Sequence, residues 1–290
     1  MTTRAKNKTP AQVVRVERGK STNCRDYLAT EEPLELRLIA GSNKQTQQKQ
    51  TLAVTMRTPG NDFELAAGFL LSEGIIQKRE DIKRISYCVD KELTEEQRYN
   101  VVNVLLNADS LPDLERLERH FNISSSCGVC GKASLEALEN RNLQKIESSL
   151  QVSSELICTL PEKLRKSQGL FEITGGLHAV ALFDADGSLL ALREDVGRHN
   201  AMDKLLGWAL LENLLPLSNH IVLVSGRASF ELAQKALVAG LPIFCAVSAP
   251  SSLAVDLAKR FEMTLIGFLR NERFNIYTSR KRILLKNTQT

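Results

Sequence analysis

At 290 residues, with 43% apolar and 25% charged residues, the chain can form one large or two modest domains with a substantial core. The net charge of +4, with basic residues dispersed among acidic ones, argues against a nucleic-acid binder and suits anionic ligands at local sites. No stretch reaches ~18 apolar residues, which argues against a membrane-spanning helix. The polar, basic start Met1–Lys8 lacks the apolar run of a secretory signal, so cytoplasm is the expected location.

In chain order, residues 1–23 read as a mobile basic tail. Residues 24–122 read as a small α+β domain. Leu34–Ile39 alternates and predicts a strand, and Leu52–Met56 predicts its return partner. Thr58-Pro59-Gly60-Asn61 predicts a turn, with Asn61 or Asp62 capping a helix over Phe63–Leu71. Ile82–Val89 and Tyr99–Leu106 predict two more strands, and Pro112-Asp113 opens a short charged helix ending near His120.

Residues 123–132 form a Ser/Gly-rich loop, Ser124-Ser125-Ser126-Cys127-Gly128-Val129-Cys130-Gly131-Lys132, ahead of a helical run to about Asn140. A polar connection follows, then a helix with Pro161 at its first position and Gly169 closing it. From Gly175 onward the pattern is β-β-α-β-α-β-α-β. The hairpin is His178–Phe183 with Ser188–Leu192, and the helices are Ala201–Leu215, Ser229–Ala239 and Leu253–Phe261. The remaining strands are Ile221–Val224, Ile243–Val247, Thr264–Phe268 and an edge strand Phe274–Thr278. Apolar strands alternating with helices predict a layered α/β domain over residues 133–279 with parallel strand pairs. Residues 280–290 read as a second mobile basic tail.

In such a sheet, ligands bind at the carboxyl ends of the strands. Three strand-to-helix turns carry suitable groups: Glu194–Asn200, Ser225-Gly226-Arg227-Ala228-Ser229 and Ser248-Ala249-Pro250-Ser251-Ser252. Free N–H groups and the positive end of the helix dipole suit phosphate, and Arg198 and Arg227 add forked donors for phosphate or a guanine edge. Any one turn is ordinary helix capping; three at one sheet edge favour an anionic ligand. His199, in a strand-to-helix loop beside Asp195 and Arg198, reads as an acid/base or ligand donor, or equally as a helix cap or support for the loop backbone; His178 reads as a ligand donor or the start of a buried strand.

The cysteine pair admits four readings. Zinc needs two further ligands, and the sequence has no second C-x-x-C and only four scattered histidines. A thioredoxin-like pair belongs at a strand-to-helix junction, and a structural disulfide is unexpected in a reducing compartment. A sulfur carrier needs an exposed thiolate that takes sulfur from a persulfide, and an acceptor site. Cys88, Cys158 and Cys245 read as small core residues.

The cysteine loop, Gly175-Gly176-Leu177-His178-Ala179, the run Glu194–Lys204, Val224–Glu231 and Val247–Ser252 together resemble the FdhD family of formate dehydrogenase accessory sulfur carriers, from about Arg25 to Thr278. The resemblance implies a sulfurtransferase with a persulfide on Cys127, assisted by Cys130. A cysteine desulfurase is the donor, and the acceptor is the molybdenum cofactor, bis-molybdopterin guanine dinucleotide, before its insertion into formate dehydrogenase apoenzyme. It implies cofactor contacts at Phe268, Leu269, Arg270, Asn271, Glu272 and Arg273, which join Arg198, His199, Ser225, Gly226, Arg227, Ser248, Ser251 and Ser252 from the turns. A guanine nucleotide would mimic the cofactor. It also implies a cytidine-deaminase-like layered mixed sheet with helices on both faces and a homodimer, with no resident metal, nucleic-acid or membrane partner. The H-x-E and P-C-x-x-C pattern of zinc deaminases is absent. The competing reading is a non-catalytic chaperone for the same cofactor and dehydrogenase, and a third is a zinc-binding regulatory module.

Overall fold

The computed structural model describes residues 6–41, 47–90, 92–112 and 143–285. Cys127 and Cys130 lie outside the described residues, as do the helices expected ahead of His120 and after Lys132.

The expected N-terminal tail is instead a hairpin: β1 (Lys8–Glu17) and β2 (Lys20–Ala29) pair antiparallel along their whole length. Arg18 and Gly19 both take positive φ (49° and 80°), the primed-turn geometry that matches strand twist. The hairpin's apolar residues Val14, Val16 and Leu28 are exposed and its strands bury no regular apolar face, which hid this pairing from a hydrophobic-pattern reading.

A four-stranded sheet of order β4-β3-β6-β5 follows, built from β3 (Glu32–Ala40), β4 (Gln48–Arg57), β5 (Ile82–Tyr87) and β6 (Val101–Leu106). Leu34, Leu36 and Leu38 alternate inward, as the period-2 pattern requires. Helix α1 (Asp62–Glu73) packs on this sheet, and a short α2 (Glu95–Tyr99) precedes β6. Gly74 closes α1 at φ 74°. Neither expected cap residue acts as one: Asn61 occupies the N-cap position in left-handed conformation with no side-chain cap. The carboxylate of Asp62 is taken by both arms of the buried Arg57 guanidinium (3.1 Å each) and by the Tyr87 hydroxyl.

The connection then runs through β7 (Val152–Ser153) into α3 (Ser154–Ser167) and α4 (Gly169–Thr174). Ser153 caps α3 by accepting from the Leu156 amide at 3.2 Å, so the helix starts seven residues before Pro161, which lies inside it. Gly169 opens α4 rather than closing α3, and Gly175 (φ 65°) ends α4.

The second half is a six-stranded mixed sheet of order β13-β12-β11-β10-β8-β9. Its strands are β8 (His178–Phe183), β9 (Leu189–Asp195), β10 (Ile221–Val224), β11 (Ile243–Ala246), β12 (Thr264–Arg270) and β13 (Arg273–Ile276). β10, β11 and β12 run parallel, and the other pairings are antiparallel. Helices α5 (Arg198–Leu211), α6 (Phe230–Val238) and α7 (Ser252–Arg260) cover one face. Helix α3 covers the other, through Ile157, Leu160 and Leu164. Alternation along each strand feeds the two layers separately: Val222 and Val224 face the first, Ile221 and Leu223 the second.

The first layer is continuous with the N-terminal unit, because Leu34, Leu36, Val102 and α1 belong to the same core. Helices α1 and α5 cross at Gly68 and Gly207. A Cβ on Gly68 would lie 1.8 Å from the Asp203 carbonyl oxygen, and one on Gly207 would lie 1.8 Å from that of Glu64. Buried charges bridge the same junction: Lys235 donates to both carboxylate oxygens of Asp203 (2.7 and 2.8 Å), which also accepts from Ser72.

The expected C-terminal tail is ordered to Leu285. Arg282 is 1% exposed and donates to the carbonyls of Ile146 and Glu262, while β14 (Ile283–Leu284) pairs with β7. Three adjacent basic residues read as a solvated run in sequence, yet one of them is a buried carbonyl clamp. Among the described residues no helix is long and apolar enough to cross a membrane.

Candidate ligand site at the carboxyl edge of the sheet

Because β10, β11 and β12 are parallel, their carboxyl ends share one edge. The antiparallel β8 brings its first residue, His178, to the same edge, opposite Asp195 at the end of β9. Backbone hydrogen bonds then tie the turns side by side. The Ser225 amide donates to the Ala179 carbonyl (2.9 Å), Ser248 to Gly226 (3.3 Å), Ser251 to Ala228 (2.9 Å) and Phe268 to Ser248 (3.1 Å). Ala228 and Pro250 form a lone parallel bridge. The second and third turns are therefore one contiguous surface, and β8, whose Ala179 meets Ser225 and whose His178 pairs with Asp195, brings the first turn beside them.

That surface carries three helix N-termini, those of α5, α6 and α7. The last two are capped by Ser229 and Ser251, whose hydroxyls accept from the Leu232 and Ala254 amides. Helix α5 follows Gly197 and has no side-chain cap. Ser225 is also committed locally, its hydroxyl accepting from the Ala179 amide. Of the hydroxyls named from sequence, Ser225 and Ser251 thus have structural duties, while Ser248 is half-buried and Ser252 exposed at the start of α7.

The cations divide likewise. Arg227 is exposed. Arg198 Nε and His199 Nε2 are buried atoms that make no hydrogen bond among the described residues. His199 Nε2 stands 3.8 Å from a Glu231 carboxylate oxygen, an ion-pair distance beyond hydrogen-bond reach. His199 is the leading influence that holds the Glu231 carboxyl down to about 2. His178 lies beside Gly226, and burial pushes its imidazole below the ordinary value, with Arg198 and His199 adding to that and Asp195 opposing it. The edge therefore offers cationic and N–H donors facing away from most local acceptors, an arrangement that suits an anion.

Asp195 is not placed for acid–base work. It is fully buried and accepts four hydrogen bonds: from the Gly197 amide (2.8 Å), the Asn200 side chain (3.1 Å), the Thr58 amide (3.1 Å) and the Lys204 ammonium (2.6 Å). Its geometry serves loop support.

The C-terminal segment named from the family resemblance divides at Phe268. Phe268 joins the turns through Ser248, at φ 52°, a left-handed conformation that is strained for a bulky aromatic residue. Next to it, a Cβ on Gly267 would stand 2.8 Å from Pro250 Cδ, so the bulge in β12 is packed tightly under the third turn. Leu269, Arg270, Asn271, Glu272 and Arg273 line a neighbouring groove of about 1450 Å³ between α3 and the β12–β13 hairpin. Val247, just before Ser248, lines that groove too and joins it to the turn edge.

The opposite wall of the groove comes from α3, through Glu155, Cys158, Thr159, Glu162 and Arg165. Sequence reading missed this wall, because nothing in a helix 100 residues upstream marks it as facing the hairpin. Cys158, expected in the core, is half-buried there, whereas Cys88 and Cys245 are buried. Burial, with Glu272 and Glu155 nearby, pushes the Cys158 thiol up, away from thiolate character.

A family model described as the FdhD/NarQ family matches residues 29–284. The chain belongs to the FdhD/NarQ family. It is 50% identical over 278 residues to a protein of Streptomyces coelicolor named sulfur carrier protein FdhD, with 95% of each chain covered. It is 48% identical over 259 residues to a protein of the same name from Sulfurisphaera tokodaii, covering 89% of this chain and 92% of the relative. A crystal structure described as that of a candidate formate dehydrogenase accessory protein from Desulfotalea psychrophila matches with a TM-score of 0.71 at 26% identity, covering 96% of this chain and 100% of that one. The FdhD/NarQ match takes in the turn edge, the groove and both cysteines of the C-x-x-C loop within its bounds.

Proposed function

We propose that the chain is a sulfurtransferase that carries sulfur as a persulfide on Cys127 from a cysteine desulfurase to the molybdenum cofactor, bis-molybdopterin guanine dinucleotide, before insertion into formate dehydrogenase. The observation that carries this reading is the junction of three helix N-termini, Arg198 and Arg227 with a groove larger than the 300–1000 Å³ or so of ordinary small-molecule pockets. A ligand with two guanine dinucleotide arms presents phosphates for the N-termini and needs an extended groove for the rest. The names of the relatives supply the sulfur chemistry.

In this reading the Cys127 thiolate attacks the outer sulfur of the desulfurase persulfide. A new S–S bond forms as the old one breaks, and the desulfurase cysteine leaves as thiolate. The Cys130 thiolate then attacks the inner sulfur of the Cys127 persulfide. This forms a Cys127–Cys130 disulfide and releases hydrosulfide to the molybdenum, and a cellular dithiol reductant resets the pair. The same reading takes the layered sheet as cytidine-deaminase-like, the protein as a cytoplasmic homodimer and guanosine diphosphate as a cofactor mimic.

Two assays test this. Arg198→Ala and Arg227→Ala should each weaken guanosine diphosphate binding about tenfold, as expected for loss of a charge-assisted phosphate contact. In cells lacking the endogenous protein, Cys127→Ala should leave formate dehydrogenase inactive while circular dichroism shows an intact fold. Full dehydrogenase activity with both Cys127 and Cys130 replaced would instead favour the non-catalytic chaperone.

A further inference from the structure

The loop that carries Arg198 and His199 is held by the N-terminal unit rather than by its own sheet alone. Four contacts cross from residues 55–58 to this loop. The Thr58 amide donates to Asp195 Oδ2 (3.1 Å), and the Val196 amide donates back to Thr58 Oγ1 (3.2 Å). Asn200 Nδ2 donates to the Met56 carbonyl (2.7 Å), and Thr55 Oγ1 donates to Asn200 Oδ1 (3.3 Å). Lys204 closes the set by bonding both Asp195 (2.6 Å) and the Thr58 carbonyl (2.8 Å). Thr58, Asp195, Asn200 and Lys204 are all buried. In that setting each hydrogen bond is costly to leave unmade.

Gly197, Arg198 and His199 are the residues enclosed between these anchors. Their backbone is tied on both sides, because Asp195 Oδ1 accepts from the Gly197 amide at their start and from the Asn200 side chain after them. Farther from the edge, Arg193 of β9 is paired with Glu64 of α1, and α1 crosses α5 at the Gly68–Gly207 contact. The four-stranded unit and the loop are therefore joined by buried hydrogen bonds, an ion pair and a helix crossing.

We infer that Thr58, Asn200 and Lys204 are positioning residues for the ligand edge: through their bonds to Asp195, the Val196 amide and the strand end at residues 55–58, they let the N-terminal unit set the placement of Arg198 and His199 and so the affinity for the anionic part of the ligand. This deepens the proposed cofactor-binding reading and rests on it for the nature of the ligand. The side chains of all three are buried and committed to internal hydrogen bonds, so their effect runs through the loop.

The test uses the full chain with Thr58→Val, which removes only the acceptor for the Val196 amide and keeps side-chain volume. Thr58→Ser, which restores that acceptor, is the rescue. Calorimetric titration with guanosine diphosphate reads the affinity. Proton–carbon NMR of the four histidines reads the geometry without ligand, through His178, which faces Arg198, His199 and Asp195. Thr58→Val should bind guanosine diphosphate about tenfold more weakly. As Arg198 shifts away from His178, the His178 midpoint should rise toward the ordinary imidazole value, and Thr58→Ser should restore both readings. Wild-type affinity together with an unmoved His178 titration in Thr58→Val would overturn the inference. A wild-type chain that takes no guanosine diphosphate, while Thr58→Val still moves His178, would overturn the ligand reading and leave the positioning role standing. If Thr58→Val fails to fold, Thr55→Val, which removes only the bond to Asn200, carries the same two readings.

Discussion

At the scale of single residues, the chain separates charges committed to internal bonds from charges left without a hydrogen bond at the sheet edge. Asp195 and His199 are four residues apart and read alike in sequence, but one is fully buried with four donors and the other keeps an unpartnered ring nitrogen at the ligand edge. A residue's type and neighbours do not disclose which side of a loop it faces, so sequence could not separate these roles. Asp195→Asn would leave the Lys204 ammonium buried without its counter-charge, and we expect a loss of about 3–5 kcal/mol, read by urea unfolding. Unchanged stability in that variant would mean that Asp195 does not hold the loop.

The carboxyls of Glu231 and Glu262 are both held from 4.5 down to about 2, the first mainly by His199 and the second by Lys281 and Lys145. With the folded value depressed, the unfolded chain binds more protons between those limits. The stabilising contribution is thus complete above about pH 4.5 and is lost as the pH falls toward 2. Urea midpoints measured across that window should drop with acid, less steeply in Glu231→Gln and less steeply in high salt.

At the scale of elements, hydrophobic period located most of the layered sheet. Ile221–Val224 is a strand with the expected bounds, and the helices after the three turns start within three residues of expectation. What failed were segments whose order comes from elsewhere in the chain. The β1–β2 hairpin leaves its apolar residues Val14, Val16 and Leu28 exposed, the buried Arg282 donates to the carbonyl of residue 146, and Pro161 sits inside a helix started by Ser153. The Gly68–Gly207 crossing was equally illegible, since neither glycine has a turn signature. Gly68→Ala or Gly207→Ala should force α1 from α5 and cost about 2–3 kcal/mol, after a small gain in helix propensity. Gly169→Ala, with open space around it, serves as the control. A wild-type unfolding midpoint in Gly68→Ala would mean the helices do not meet as closely as described.

At the scale of the molecule, a layered sheet gathers its turns at one edge, and a second unit braces that edge from behind. That the turns share one sheet edge was legible because helix N-termini, small residues and arginines recur at strand ends. The groove was not, since its two walls, α3 and the β12–β13 hairpin, lie a hundred residues apart in sequence and meet only across the sheet. A ligand with phosphates at the turns and a body in the groove would bring both features into use. The cysteine loop would deliver to that ligand.

The most direct test of this account is the location of the transferred sulfur. The protein is incubated with a cysteine desulfurase and free cysteine, digested without reductant and mass-analysed. The account predicts one added sulfur on the peptide holding Cys127, its absence in Cys127→Ala, and its loss from the wild-type protein once the molybdenum cofactor is supplied. A persulfide that persists in Cys127→Ala, or that stays on Cys127 when the cofactor is present, would contradict it.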